Sequence, residues 1–174
     1  MHWFDRSLAA KQNIIPFAEK DAQGLLDDLV DMEMITYQGK IPRISGLGKV
    51  SSWLYFSPYD VFSWYDNFNK IYNGTSDMDD ELLAWAIANV PSNDPGYVVK
   101  DMQEIASEWV WRLRNRGVAC GDSILSVIAM HEKLTDRDEV GGVVSMLKRN
   151  IVFDIDRTIQ ALSLIDGLHA KWNK

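Results

Sequence analysis

Strand chemistry appears in one stretch of this chain, "ITYQGKIPRIS" at residues 35–45, and that limits what the rest can be. Ile35, Thr36 and Tyr37 favour extended backbone, Gln38-Gly39-Lys40 reads as a tight turn, and Ile41 to Ile44 favours a second strand. Pro42 has no N–H to give to a ladder, which places the second strand at an edge. The segments on either side carry helical spacing. The expected fold is therefore mainly α: a winged-helix domain with a short two-stranded β-hairpin over residues 1–57, then an all-helical bundle over 58–174.

The helix before the ribbon is read from Pro16, with Phe17, Leu25, Leu26, Leu29, Val30 and Met34 on one side and acids between them. A shorter helix is expected over 3–12. After the ribbon, Ser45 and Gly46 open a helix with Leu47, Val50, Trp53 and Leu54 at helical spacing. Ser57-Pro58 starts another, for which Phe62, Tyr65, Phe68 and Ile71 or Tyr72 form the expected buried stripe. Further helices are read in "DMDDELLAWAIANV", "VVKDMQEIASEWVWRLRNRG", "GDSILSVIAMHEKLTD", "DEVGGVVSMLKRN" and "FDIDRTIQALSLIDGLHAKW".

A Gly-Lys pair in "RISGLGKVSS" raises a phosphate-binding loop, and the spacing rejects it. Such a loop needs G-x-x-x-x-G-K-[ST], so that a glycine-rich arc can wrap its N–H groups around the phosphates. Five residues before Gly48 stands Arg43, and Val50 rather than a hydroxyl follows Lys49. The glycines instead let the chain leave the ribbon and enter a closely packed helix. His131-Glu132 fails H-E-x-x-H because Thr135 takes the last position, and His2, His131 and His169 have no metal-ligand spacing. No catalytic residue, cofactor or metal is expected.

Net charge is −7, from 18 basic and 25 acidic residues. Free nucleic-acid binders carry a basic footprint, because neutralised phosphates supply most of their affinity. Any such contact here has to be local or shared with a more basic partner. The lone Cys120 excludes an internal disulfide framework and fits a reducing compartment. No run of eighteen apolar residues suggests a membrane span. "MHWFDRSLAAK" does not have the plan of a signal peptide, so a cytoplasmic location is expected.

From "DDLVDMEMITYQGKIPRISGLGKVSSWLYFSPYDVFSWYDNF" onward the chain resembles the C-terminal region of Ski-type and Hel-type DExH helicases of superfamily two. In that family a two-strand wing precedes a Thr/Ser-x-Leu-Gly-x-x-x-Ser-x-x-Tyr-x-x-Pro pattern, matched here by Ser45, Leu47, Gly48, Ser52, Tyr55 and Pro58. "TSDMDDELLAWAIANVPSND" resembles the opening of the family's helical domain. "KRNIVFDIDRTIQALSLIDGLHAKW" resembles its long ratchet helix. The two RecA-like motor domains are not in this sequence. Asp80-Glu81 runs into Leu82-Leu83 and Asp138-Glu139 into Val140-Gly141, so neither forms a DExH box. The resemblance thus implies no ATPase in this chain by itself, and a RecA-like motor as partner in cis or in trans.

The family's ratchet helix touches a single strand through a basic residue and an aromatic two turns later. Carried over, these positions are Arg157 and Leu164, and leucine cannot stack on a base. Further candidates for nucleic-acid contact are Lys148 and Arg149, Lys40 and Arg43 on the ribbon, and Arg112 and Arg116 in "WRLRNRG". Arg112, Arg114 and Arg116 spread over about 400° of a helix, so Arg112 and Arg116 share a face and Arg114 lies opposite. Each also fits a solvated helix end that complements the dipole. The seven Trp are expected mostly in the core, though Trp109 and Trp111, two apart on one helix, cannot both face it. Two functions follow: an accessory nucleic-acid module of a Ski-type helicase, with single-stranded DNA or RNA as ligand, or a protein-interaction scaffold of the same fold.

Overall fold

The computed structural model describes residues 19–74, 79–93, 100–121, 123–137, 157–158 and 160–165. The expected helices at 3–12 and in "DEVGGVVSMLKRN" lie outside them. Element order is α1 Glu19–Asp31, β1 Ile35–Gln38, β2 Ile41–Ile44, α2 Gly46–Leu54, α3 Pro58–Gly74, α4 Asp80–Ala88, α5 Gln103–Asn115 and α6 Ile124–Thr135. Short 3-10 turns occupy Pro91–Asn93 and Lys100–Met102, and residues 157, 158 and 160–164 are helical. The protein is mainly helical, with a two-stranded antiparallel hairpin followed by a helical bundle. Among the described residues no helix is long and apolar enough to cross a membrane.

The ribbon pairs Ile35 with Ile44, Thr36 with Arg43, Tyr37 with Pro42 and Gln38 with Ile41. Gly39 has φ +66°, a backbone that only glycine adopts without penalty. The ribbon is then bound to α2 by one backbone contact. Ser45 donates its N–H to the Met34 carbonyl at 3.0 Å, and its hydroxyl accepts the Gly48 N–H at 3.0 Å, capping α2. A Cβ on Gly48 would stand 2.3 Å from the Met34 oxygen and 2.8 Å from Ile44 Cγ1. Glycine is therefore the residue that lets α2 lie on the ribbon, while Lys49 points to solvent.

Below this unit a continuous core runs from Met32 and Met34, through Val50, Val61 and Trp64, to Ile165. At its centre is α4, where Leu82, Ala84, Trp85, Ala86, Ile87 and Ala88 are all buried. A helix apolar on every side belongs inside a bundle, and its small alanines let α3 and α6 pack closely on it. Its last four carbonyls need partners from elsewhere. Asn89 N–H donates to Trp85 O at 2.9 Å and Val90 N–H to Ala88 O at 2.9 Å. Asn67 Nδ2 donates to Ala86 O at 3.2 Å and to Asn89 O at 2.9 Å. Trp64 Nε1 donates to Ile87 O at 2.9 Å.

Three expected stripes are corrected. On α3 the buried residues are Asp60, Val61, Trp64, Asn67, Phe68 and Ile71, whereas Phe62 and Tyr65 are half-buried. The inner face carries two polar side chains. Asn67 serves α4, and Asp60 accepts the Ser92 N–H at 3.1 Å. On α1, Leu25 and Leu26 are exposed, and on α2 Trp53 is exposed as well.

Two substitutions test these contacts. Gly48→Ala should cost about 1–3 kcal/mol, because the Met34 backbone has to move. Asn67→Ala should cost about 2 kcal/mol by leaving buried carbonyls without a donor. Urea unfolding of each variant against the parent would measure both; wild-type midpoints would contradict this packing.

Candidate nucleic-acid interface

The C-terminal half of α5, with Arg112 and Arg114 in its last turn, faces the acidic first turn of α4. Asp79 caps α4 by accepting the Leu82 N–H at 3.1 Å, and Asp80 and Glu81 follow in the first turn. These acids suit the positive end of the helix dipole. They also hold the arginines of α5. Arg112 Nη1 donates to Glu81 Oε1 at 2.9 Å, and its guanidinium lies 4.3 Å from the Trp109 ring centroid. Arg116 donates to Asp79 and stands 3.6 Å from Glu81 Oε2. Burial by itself would raise the Asp79 carboxyl. The Arg116 hydrogen bond, the Leu82 and Glu81 N–H groups and the Arg116 charge outweigh it and hold Asp79 below the usual aspartate range.

Arg112 and Arg116 share a flank of α5, and that flank is the ion-paired one. Their guanidiniums are spent on α4, 31 to 37 residues away in sequence. Arg114 turns to the opposite, exposed side. Trp109 is buried with its edge to the His131 ring at 4.8 Å, while Trp111 is 64% exposed. Trp64 and Trp85 are core residues like Trp109, but Trp53 at 66% exposure and Trp111 are not. Trp3 and Trp172 lie outside the described residues.

The late helical segment docks through Thr158, Ala161 and Ile165, all buried. That spacing turns residues 157, 160 and 164 outward together. Arg157 is exposed, and its guanidinium lies 4.7 Å from the Phe56 ring centroid. Phe56 in turn meets Trp64 edge-on at 4.8 Å. Leu164 is 46% exposed. Just before Phe56, Tyr55 ends α2 in the left-handed region with φ 57° and is 89% exposed.

On the ribbon, Lys40 sits in the turn and Arg43 on β2, both exposed. Lys148 and Arg149 lie outside the described residues. The candidates therefore separate into an ion-paired set on α5, a ribbon set, and Arg157 at the junction of α2 and α3. Cys120 is free, and burial pushes its thiol up to about 11. Among the described residues no cluster of His, Cys, Asp or Glu is placed to hold a metal ion.

No family model, no curated protein and no solved structure matches the chain. The expected contacts Arg112 and Arg116 are ion-paired, whereas Arg114, which is not among the expected contacts, is exposed. The run Asp79-Asp80-Glu81 marks the start of a helix, but the sequence alone does not say which cations it meets.

The cap and ion pair at Asp79 can be separated by substitution. Asp79→Ala should destabilise by about 1–2 kcal/mol, and Asp79→Asn by less, since asparagine caps nearly as well. The folded pKa lies below the ordinary value of 3.8, so the carboxylate's contribution is complete above that value and lost as pH falls through the folded one. Thermal melts between pH 2 and 7 should show this acid limb reduced in Asp79→Asn; an unchanged limb would contradict the pairing.

Proposed function

We propose that this chain is an accessory nucleic-acid-binding module of a Ski-type DExH helicase, guiding a single strand alongside an ATP-driven motor that is not in the chain. The observation that carries the reading is Arg157. It leaves the late helical segment on its outward face, stays exposed, and is held over Phe56 at 4.7 Å, next to the ribbon–helix stretch that matches the family pattern. A guanidinium oriented by an aromatic ring loses little freedom when it meets a phosphate.

Leu164 offers an apolar surface in place of a stacking ring, so the grip at this site is chiefly electrostatic. Pairing of Arg112 and Arg116 to Asp79 and Glu81 makes their role here structural. The described contacts of this reading are Arg157, Lys40 and Arg43, all exposed, with Lys148 and Arg149 further along. The partners of this reading are a RecA-like motor, in cis or in trans, and single-stranded DNA or RNA. A single free thiol suits work in the reducing cytoplasm.

A second reading keeps the fold and removes the strand: a protein-interaction scaffold. The net charge of −7 favours it, as do Tyr37, Ile41 and Ile44, large apolar side chains exposed on the ribbon. Fluorescence anisotropy with labelled dT20 and rU20 across 50–200 mM salt separates the two. Binding should weaken with salt, and Arg157→Ala should lower affinity and flatten the log–log slope by about 0.7. Absent or salt-insensitive binding would give the chain to the scaffold.

A further inference from the structure

The face of α5 turned away from Asp79 and Glu81 borders a groove of about 480 Å³, shared with the start of α6. Gln103, Ser107, Val110, Trp111 and Arg114 line it from α5, and Ile124 from α6. We propose that this groove binds one nucleotide of a single strand, with the base on the Trp111 ring and the phosphate on Arg114. It rests on the nucleic-acid reading above, and adds a site that neither Arg157 nor the ribbon provides.

The first argument is charge. Of the three arginines on α5 and its C-cap, Arg112 and Arg116 are neutralised by Glu81 and Asp79. Arg114 has no carboxylate at ion-pair distance among the described residues. The acids of α5 itself lie off the groove. Glu108 leans toward Arg112, 3.9 Å from its Nε. Glu104 is not among the lining residues and sits beside Gln103, at the end of the groove away from Trp111 and Arg114. A cation with no carboxylate beside it among the described residues, in a chain of net charge −7, selects an anion.

The second argument is shape. Trp111 is 64% exposed and makes no ring or cation contact among the described residues. Its partner by helical spacing is Arg114, three residues on, so ring and guanidinium stand side by side. Ala106 and Val110 floor the groove. The volume of about 480 Å³ lies within the roughly 300–1,000 Å³ of ligand sites. A ring to stack on, with a cation one phosphate away, is how single strands are held without regard to sequence.

The test is anisotropy of labelled dT20 on the full chain at 50 mM salt, with circular dichroism of each variant as a folding check. Trp111→Ala should weaken binding about tenfold, and Trp111→Phe, which keeps a ring, by less than about threefold. Arg114→Gln should weaken it several-fold and flatten the salt slope by about 0.7. If the parent binds and these variants match it, the groove is not a strand site, while the Arg157 reading stands. If the parent does not bind, both fall. Unchanged strand binding with loss of self-association in Trp111→Ala, by sedimentation, would assign the groove to protein contact and overturn the proposal.

Discussion

The end of α4 is the constraint from which the remaining structure follows. A helix buried on all sides has carbonyls at its C-terminus that water cannot reach, and an orphaned carbonyl there costs about 1–3 kcal/mol. Asn67 and Trp64 reach in from α3 to Ala86 O and Ile87 O. The chain just beyond serves Trp85 O and Ala88 O. The same junction then recruits α6: Ser123 donates to Asn89 Oδ1 at 2.7 Å and Ser126 to Asn93 O at 2.6 Å. Trp85 ties the strap before α6 by donating to Ala119 O at 2.9 Å. Three helices are thus set in register by hydrogen bonds to one turn, and the apolar packing fills in around them.

The opposite end of α4 works by charge. Asp79 caps the helix, and with Glu81 it fixes the paired flank of α5. With that flank of α5 turned to α4, the side chains of its other flank are turned away from it. An acidic turn whose own role is structural therefore decides which arginine of α5 meets solvent.

Much of this architecture was legible in the sequence. The ribbon was, because Gly39 between two β-favouring runs has few other readings, and the glycines after it were correctly tied to close packing. The inner face of α3 was not. Reading by hydrophobicity favours Phe62 and Tyr65, whereas the buried positions include Asp60 and Asn67, whose value lies in hydrogen bonds to Ser92 and α4 that only the folded chain reveals. The fate of the arginines was hidden for a similar reason. Helical spacing placed Arg112 and Arg116 on one face and Arg114 opposite, but nothing local says that Asp79 and Glu81 arrive beside the first pair. Trp111 was half legible: its spacing from Trp109 showed that one ring had to leave the core, and burial of Trp109 beside His131 settled which.

Cys120 gives the molecule a practical property. A thiol whose acidity is suppressed to about 11 remains protonated, and so poorly nucleophilic, across the neutral range. A cysteine placed on an open surface, for instance at the ribbon tip, would react with a maleimide dye far sooner than the native one. Distances between the ribbon and the helices could then be followed in solution without first removing Cys120.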